Sequence, residues 1–145
     1  MLMNLKGSHM AGGQISYEWL SGNTYLLKIE LYRDCSGITV PTQLTGVNIS
    51  SVSCSESFAV DLAYTGYYFE TTPICANYLS SCNGGADYGV EVHLYQDTVS
   101  LPLACTDWLF EYEICCRNSN ITNLVNPSSE ALYLDAGLDN LNTPF

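Results

Sequence analysis

The chain has 145 residues and carries 15 acidic but only 4 basic side chains, a net charge of −11. This length suits one domain that buries a substantial core. Because phosphate binding requires clustered Lys and Arg, the charge balance excludes nucleic acid as an expected partner and disfavours anionic membrane surfaces.

The composition favours strands over helices and contains no membrane-spanning stretch. Eleven Tyr, two Trp and four Phe accompany many Val, Ile, Leu and Thr residues. No apolar run approaches the ~20 residues that a transmembrane helix needs, so we expect no transmembrane segment. No signal peptide is visible, and we expect that the signal of an exported protein has been removed.

The first ten residues have the character of an added sequence. Gly7-Ser8-His9-Met10 matches what a cleavage-and-cloning step leaves behind. We therefore predict that residues 1–10 are an expression tag or cloning remnant and that residues 11–145 form a single β-sandwich domain.

Alternating apolar and polar residues predict a series of short strands that begins with a hairpin. Two alternating runs, at residues 14–20 and 24–33, flank the turn residues Ser21-Gly22-Asn23. The second run is the longer, and its apolar face holds Tyr25, Leu27, Ile29 and Leu31. Further strands are predicted at residues 47–52, 58–64 and 67–71.

After an irregular segment at residues 74–88, the alternation resumes and predicts strands at residues 89–99 and 131–138. Between them, residues 108–118 give the clearest strand pattern, with Trp108, Phe110, Tyr112 and Ile114 on one face. Turn signals roughly every 8–12 residues separate seven to nine strands. The pattern predicts an all-β fold: an antiparallel β-sandwich, Ig-like or related, stapled by disulfides.

Seven cysteines, none in a Cys-x-x-Cys pair, favour disulfides in an oxidising compartment over a zinc ribbon or a thioredoxin-like motif. The disulfide candidates are Cys35, Cys54, Cys75, Cys82, Cys105, Cys115 and Cys116. We expect Cys35–Cys54, Cys75–Cys82 and a bond from Cys105 to Cys115 or Cys116, although the spacing leaves other pairings open. Because seven is odd, one thiol is free, pairs between chains or has its partner elsewhere. Neighbouring side chains of a strand point to opposite faces, so Cys115 and Cys116 are expected to anchor opposite sides of the sheet.

No set of residues meets the geometric roles of a catalytic site, and we expect a protein that is not an enzyme. Nucleophilic catalysis needs a Ser or Cys with a nearby base, but the sequence holds no Gly-x-Ser-x-Gly elbow. His93 is the one histidine of the predicted domain, and we expect it at the surface beside Glu91 and Tyr95.

The sequence also contains two candidate binding features, an aromatic cluster and a pair of aspartates. The aromatic cluster Tyr64, Tyr67, Tyr68 and Phe69 could stack on sugar rings, although aromatic residues in a β-sandwich more often fill the core or pair across strands. This cluster supports the alternative function, a carbohydrate-binding module. Asp135 and Asp139 are candidate Ca²⁺ ligands, with solvated surface acids as the favoured interpretation. No other cofactor is expected.

Six short motifs occur in one order along the chain and carry a resemblance to a known family. They are Gly12-Gly13-Gln14-Ile15-Ser16-Tyr17, Tyr32-Arg33-Asp34-Cys35, Leu101-Pro102-Leu103-Ala104-Cys105-Thr106-Asp107-Trp108, Cys115-Cys116-Arg117-Asn118, Ile121-Thr122-Asn123 and Asp139-Asn140-Leu141-Asn142. Together these motifs resemble the N-terminal region of large secreted surface proteins of Bacteroidetes. Those proteins carry many β-sandwich repeats and often a C-terminal domain associated with gliding motility or type IX secretion.

The resemblance implies a secreted or cell-surface location and a role in adhesion, gliding or structural presentation. It also implies that the chain is the first module of a longer protein. The implied partners are neighbouring domains of the same chain, and then surface glycans or other surface proteins. The family offers no catalytic residue to carry over. An extracellular location agrees with the cysteine content.

Overall fold

A computed structural model describes residues 9–72, 74–75 and 77–143. Within these residues the chain forms seven strands and two single-turn 3-10 helices, Ser81–Asn83 and Pro127–Ser129. The strands are β1 (Met10–Ser21), β2 (Thr24–Asp34), β3 (Gln43–Ser51), β4 (Glu56–Glu70), β5 (Val90–Ser100), β6 (Trp108–Cys115) and β7 (Ala131–Leu138). No helix in this part of the chain has the length and apolar character needed to span a membrane.

The seven strands form one antiparallel sheet that curls into a nearly closed barrel. Its order is β1-β2-β5-β4-β3-β6-β7, and every neighbouring pair is antiparallel. The end strands, β1 and β7, lie against each other. The prediction of an all-β, antiparallel fold with disulfides is confirmed. Because the pairing gives one continuous sheet, the immunoglobulin-like sandwich is not shown.

Side-chain and backbone contacts hold the two end strands together along a seam. Tyr17 in β1 donates a hydrogen bond from Oη to the carbonyl of Gly137 in β7, at 2.8 Å. Farther along, Gly13 lies so close to β7 that a Cβ on it would stand 2.9 Å from Leu134 Cδ1. β1 and β7 therefore approach each other closely, although no ladder of backbone hydrogen bonds joins them within the described residues.

The backbone that follows β6 closes the seam at one end. There the N–H of Asn118 donates to the carbonyl of Met10, the first residue of β1, at 3.1 Å. The N–H of Arg117 donates to the carbonyl of Glu130, just before β7, at 2.9 Å. Arg117 and Asn118 thus connect the backbone after β6 to the starts of both end strands.

Alternate residues of the strands fill the barrel interior. The predicted apolar face of the second run is confirmed, because Tyr25, Leu27, Ile29 and Leu31 are fully buried. The predicted face of β6 is confirmed as well, with Trp108, Phe110 and Tyr112 at most 8% exposed. Met10, which the sequence assigned to the predicted tag, is also buried and pairs with Arg33 as the first residue of β1.

Two glycines allow single strands to continue where the sequence predicts a break. Gly66, with φ +79°, lies at the irregularity between Tyr64 and Tyr68, and β4 runs through it as one strand instead of two. Gly46, with φ +75°, has the same role in β3, which begins earlier than predicted. Glycine adopts positive φ at no steric cost, so these bulges bend the strands without ending them.

Replacing Gly13 with alanine should destabilise the barrel, because the new Cβ would stand 2.8 Å from the Glu30 carbonyl oxygen and 2.9 Å from Leu134 Cδ1. Overpacking of this kind costs about 1–3 kcal/mol of the free energy of unfolding. Urea denaturation would measure it. Gly137→Ala on the facing strand is the matched control, since its Cβ would meet nothing closer than 3.9 Å. Equal stability losses in the two variants would contradict the close packing at the seam.

Candidate functional site

A polar cluster faces the barrel interior at the end where β2 stops and β5 begins. Arg33 pairs with Glu91, and Leu31 pairs with His93. Directly paired residues of neighbouring strands share a face, so His93 points the same way as the buried Leu31. Glu91 lies two residues from His93 and therefore shares this face. His93 is 6% exposed, so the prediction of a surface histidine is wrong. The error arose because the opposite face of β5 holds the apolar residues Val90, Val92 and Leu94, and Val92 is buried as well.

His93 links a phenol and a carboxylate through its two ring nitrogens. Nδ1 lies 2.9 Å from Tyr64 Oη, and Nε2 lies 2.7 Å from Glu91 Oε1. Arg33 Nη1 donates to the same carboxylate oxygen. The arginine also donates through Nη2 to the carbonyl of Gly37, at 2.8 Å. Its guanidinium therefore connects β5 to the loop after β2, and the cluster is an internal anchor.

The predicted aromatic cluster is divided between two faces of β4. Tyr64 is half-buried against His93, and the exposed ring of Tyr68 stacks on the same imidazole, with centroids 5.6 Å apart and planes 15° apart. Tyr67 and Phe69 point to the other face, where their ring centroids are 5.8 Å apart and tilted by 50°. The four side chains therefore do not form one flat platform.

The disulfides join Cys35 to Cys82, Cys54 to Cys105, and Cys115 to Cys116, and Cys75 is an exposed free thiol. The predicted pairs, Cys35–Cys54, Cys75–Cys82 and Cys105 with Cys115 or Cys116, are wrong. Strand order explains the error. Ser50 pairs with Leu109, so the turn after β3 lies beside the segment that leads into β6, and Cys54 meets Cys105 there.

The adjacent cysteines do not anchor opposite faces of the sheet. β6 ends at Cys115, so Cys116 lies beyond the strand, where the alternation of faces no longer applies. The two sulfur atoms bond to each other at the point where the chain turns to close the seam.

The two candidate Ca²⁺ ligands are not brought together. Asp135 lies within β7 opposite Glu111, and Asp139 follows the strand, about 13 Å farther along an extended chain. The Asp139 carboxylate accepts hydrogen bonds from the backbone and side chain of Asn142, at 2.9 and 3.0 Å. These bonds lower the Asp139 pKa and satisfy the carboxylate within its own turn.

A second carboxylate anchors the turn between β3 and β4. Asp107 accepts hydrogen bonds from Ser51 Oγ at 2.5 Å and from Ser53 Oγ at 2.6 Å. These donors hold the pKa of Asp107 below its usual value. The carboxylate also lines a cavity of about 450 Å³ between the ends of β3, β6 and β7. Cys54 is bonded to Cys105 beside this anchor.

A smaller cavity of about 370 Å³ opens beside the segment that closes the seam, lined by Tyr88, Asn118, Asn120 and Ile121. Asn118 is 1% exposed, and its Nδ2 donates to Asp34 Oδ2 at 3.1 Å and to Tyr88 Oη at 2.5 Å. Burial, together with the negative charge of Asp34, raises the pKa of Tyr88. The sequence did not identify this cavity, although Asp34 and Asn118 belong to two of the six motifs.

Comparisons of the chain with protein-family profiles, curated proteins and solved structures find no match. What the arrangement can do chemically follows from its own groups: an internal anchor of charged side chains, two largely apolar cavities that each include a few polar side chains, and exposed aromatic rings.

Replacing Glu91 with glutamine should destabilise the protein, because Arg33 and His93 both lose the charge that they contact. The carboxylate is only 12% exposed, so a cost of about 1–3 kcal/mol in unfolding free energy is expected. Chemical denaturation at neutral pH would measure this cost. The control is Glu18→Gln, whose carboxylate pairs with Lys28 but is 61% exposed, and whose cost should stay under about 1 kcal/mol. A Glu91 variant as stable as its control would show that the cluster is not an anchor.

Asp107→Asn should make stability less dependent on acid pH. The folded-state pKa of Asp107 is depressed, so its contribution is present above the unfolded value, about pH 4, and is lost as the pH falls through the folded value. The variant should therefore be less stable at neutral pH and lose less stability on acidification. Urea titrations from neutral to acid pH would show this difference. Asp87→Asn is the control, because that carboxylate makes no hydrogen bond among the described residues. Parallel pH curves for wild type and the Asp107 variant would refute the assignment.

Proposed function

We propose that the chain is a non-catalytic, disulfide-linked module of a large extracellular bacterial protein, secreted or held at the cell surface. Its role would be adhesion, gliding-associated assembly or structural presentation. The proposal includes an immunoglobulin-like arrangement of the strands. It also includes the position that the family resemblance implies, in a chain with many β-sandwich repeats.

The observation that carries the proposal is that residues of the six motifs bond to one another across the fold. Asp34 of one motif accepts a hydrogen bond from Asn118 of another, and both side chains are buried. Cys105 donates from its N–H to Asn140 Oδ1 at 2.8 Å, while its sulfur is bonded to Cys54. Residues that resemble the surface-protein family thus serve as links between distant parts of this chain, which supports a scaffold role.

The disulfides and the surface charge support the location. Disulfides persist in oxidising environments, and six of the seven cysteines are paired. A net charge of −11 keeps such a domain soluble and discourages contact with anionic surfaces. Neighbouring domains of the same long chain are the first proposed partners.

Exposed aromatic side chains favour carbohydrate binding as a second function. Among the described residues, fifteen large apolar side chains are exposed, and seven of these fall between residues 67 and 88. Several of these exposed side chains are aromatic rings, which are typical of surfaces that bind a ligand or a partner. Tyrosine is prominent in this group, and its ring offers both an apolar face and a hydroxyl group.

Thiol counting and surface labelling test the leading proposal. Alkylation of the unfolded, unreduced protein should modify one cysteine, Cys75, and a Cys75→Ser variant should show no modification. Six or seven modified cysteines would contradict the disulfides. Antibody raised against the domain should label intact cells that make the full-length protein. Labelling that appears only after the cells are made permeable would contradict the surface location.

A further inference from the structure

The cavity beside Tyr88 has the size of a site for a small ligand. Its volume of about 370 Å³ lies at the lower end of the range of about 300–1,000 Å³ for ligand cavities. It lies at the seam, where Asn118 connects to β1 through the carbonyl of Met10. The cavity therefore lies at the end of the barrel where the backbone after β6 closes the seam.

The deep wall of the cavity is held in place before any ligand arrives. Both amide hydrogens of Asn118 have acceptors, Asp34 Oδ2 and Tyr88 Oη. Its Oδ1 accepts one hydrogen bond, from the N–H of Asn120 at 2.9 Å, and an amide oxygen can accept two. A group fixed in this way loses little conformational entropy on binding.

The outer wall supplies polar groups with hydrogen-bonding capacity that no described residue uses. The side-chain amide of Asn120 is exposed and makes no hydrogen bond to any described residue. It offers two donors and one acceptor. The Tyr88 hydroxyl accepts from Asn118, so its own hydrogen remains available, and the residue is 44% exposed.

The charge of the site selects among ligands. The residues lining the cavity are an aromatic ring, two amides and an isoleucine, none of which is ionised at neutral pH. The carboxylate of Asp34 lies behind Asn118, and the chain carries a net charge of −11, so an anionic ligand would be repelled. A suitable ligand is neutral, with one apolar face for the ring and several hydroxyl groups for the amides.

We propose that this cavity binds a neutral saccharide, with a sugar ring against Tyr88 and its hydroxyl groups bonded to Asn120 and to the free lone pair of Asn118. The inference rests on the second proposed function, carbohydrate binding, but assigns it to residues other than the aromatic side chains of β4. It does not depend on the location of the protein.

The test is a titration of the oxidised, isotope-labelled protein with neutral saccharides, followed by amide resonances in two-dimensional NMR. The probes are glucose, galactose, mannose, xylose and N-acetylglucosamine, with disaccharides of the same sugars, at concentrations up to tens of millimolar. At least one probe should shift the resonances of Asn118 and Asn120 in a saturable way.

Three variants identify the site. Asn120→Ala removes an exposed amide and should weaken binding about five- to tenfold, the loss expected for one or two hydrogen bonds. Tyr88→Ala should abolish detectable binding. Tyr67→Ala, an exposed ring on β4 outside the cavity, is the control and should bind like the wild type.

The outcomes separate the inference from the function on which it rests. Binding that keeps its wild-type affinity in the Asn120 and Tyr88 variants but is lost in the Tyr67 variant would overturn this site and keep carbohydrate binding on β4. Silence across all the saccharides would overturn both. Because Asn120 is exposed, its variant should keep the wild-type spectrum elsewhere, so loss of binding there reports on the site.

Discussion

An odd number of antiparallel strands cannot close into a barrel with antiparallel pairing alone. Six antiparallel steps separate β1 from β7, so these two strands run in the same direction where they meet. The chain therefore joins them by other means: the Tyr17 hydroxyl on the Gly137 carbonyl, and residues 116–118 between the starts of both strands. The continuous interior that buries Tyr25 and Trp108 depends on this seam.

Each end of the barrel combines a disulfide with a charged side chain that bonds to a loop. Cys35–Cys82 stands within 4.8 Å of the carboxylate of Glu91, which Arg33 and His93 contact. Elsewhere, Cys54–Cys105 is accompanied by Asp107, whose carboxylate holds the turn between β3 and β4. The covalent bond limits how far the loop can move, and the hydrogen bonds set its orientation, so the two devices complement each other.

The sequence predicted the strands where one face meets the core and the other meets solvent. Residues 24–33 and 108–115 are of this kind, because alternation is a local property of the chain. His93 was misplaced because the outer face of β5 carries Val90, Val92 and Leu94, and periodicity alone does not indicate which face of such a strand points inward. The disulfides and the cavity beside Tyr88 depend on strand order: β2 pairs with β5 and β3 with β6, a long-range arrangement that no local pattern encodes.

The seam also affects whether the edge strands of this domain can pair with strands of other chains. An exposed edge strand is a template on which another chain can add its own strand, and natural β proteins usually blunt or cover it. Here β1 and β7 shield each other, and the backbone after β6 covers the start of β1. Contacts of this kind disfavour the addition of a strand from another chain at either edge. Resistance to unwanted pairing is thus built into the same contacts that complete the barrel.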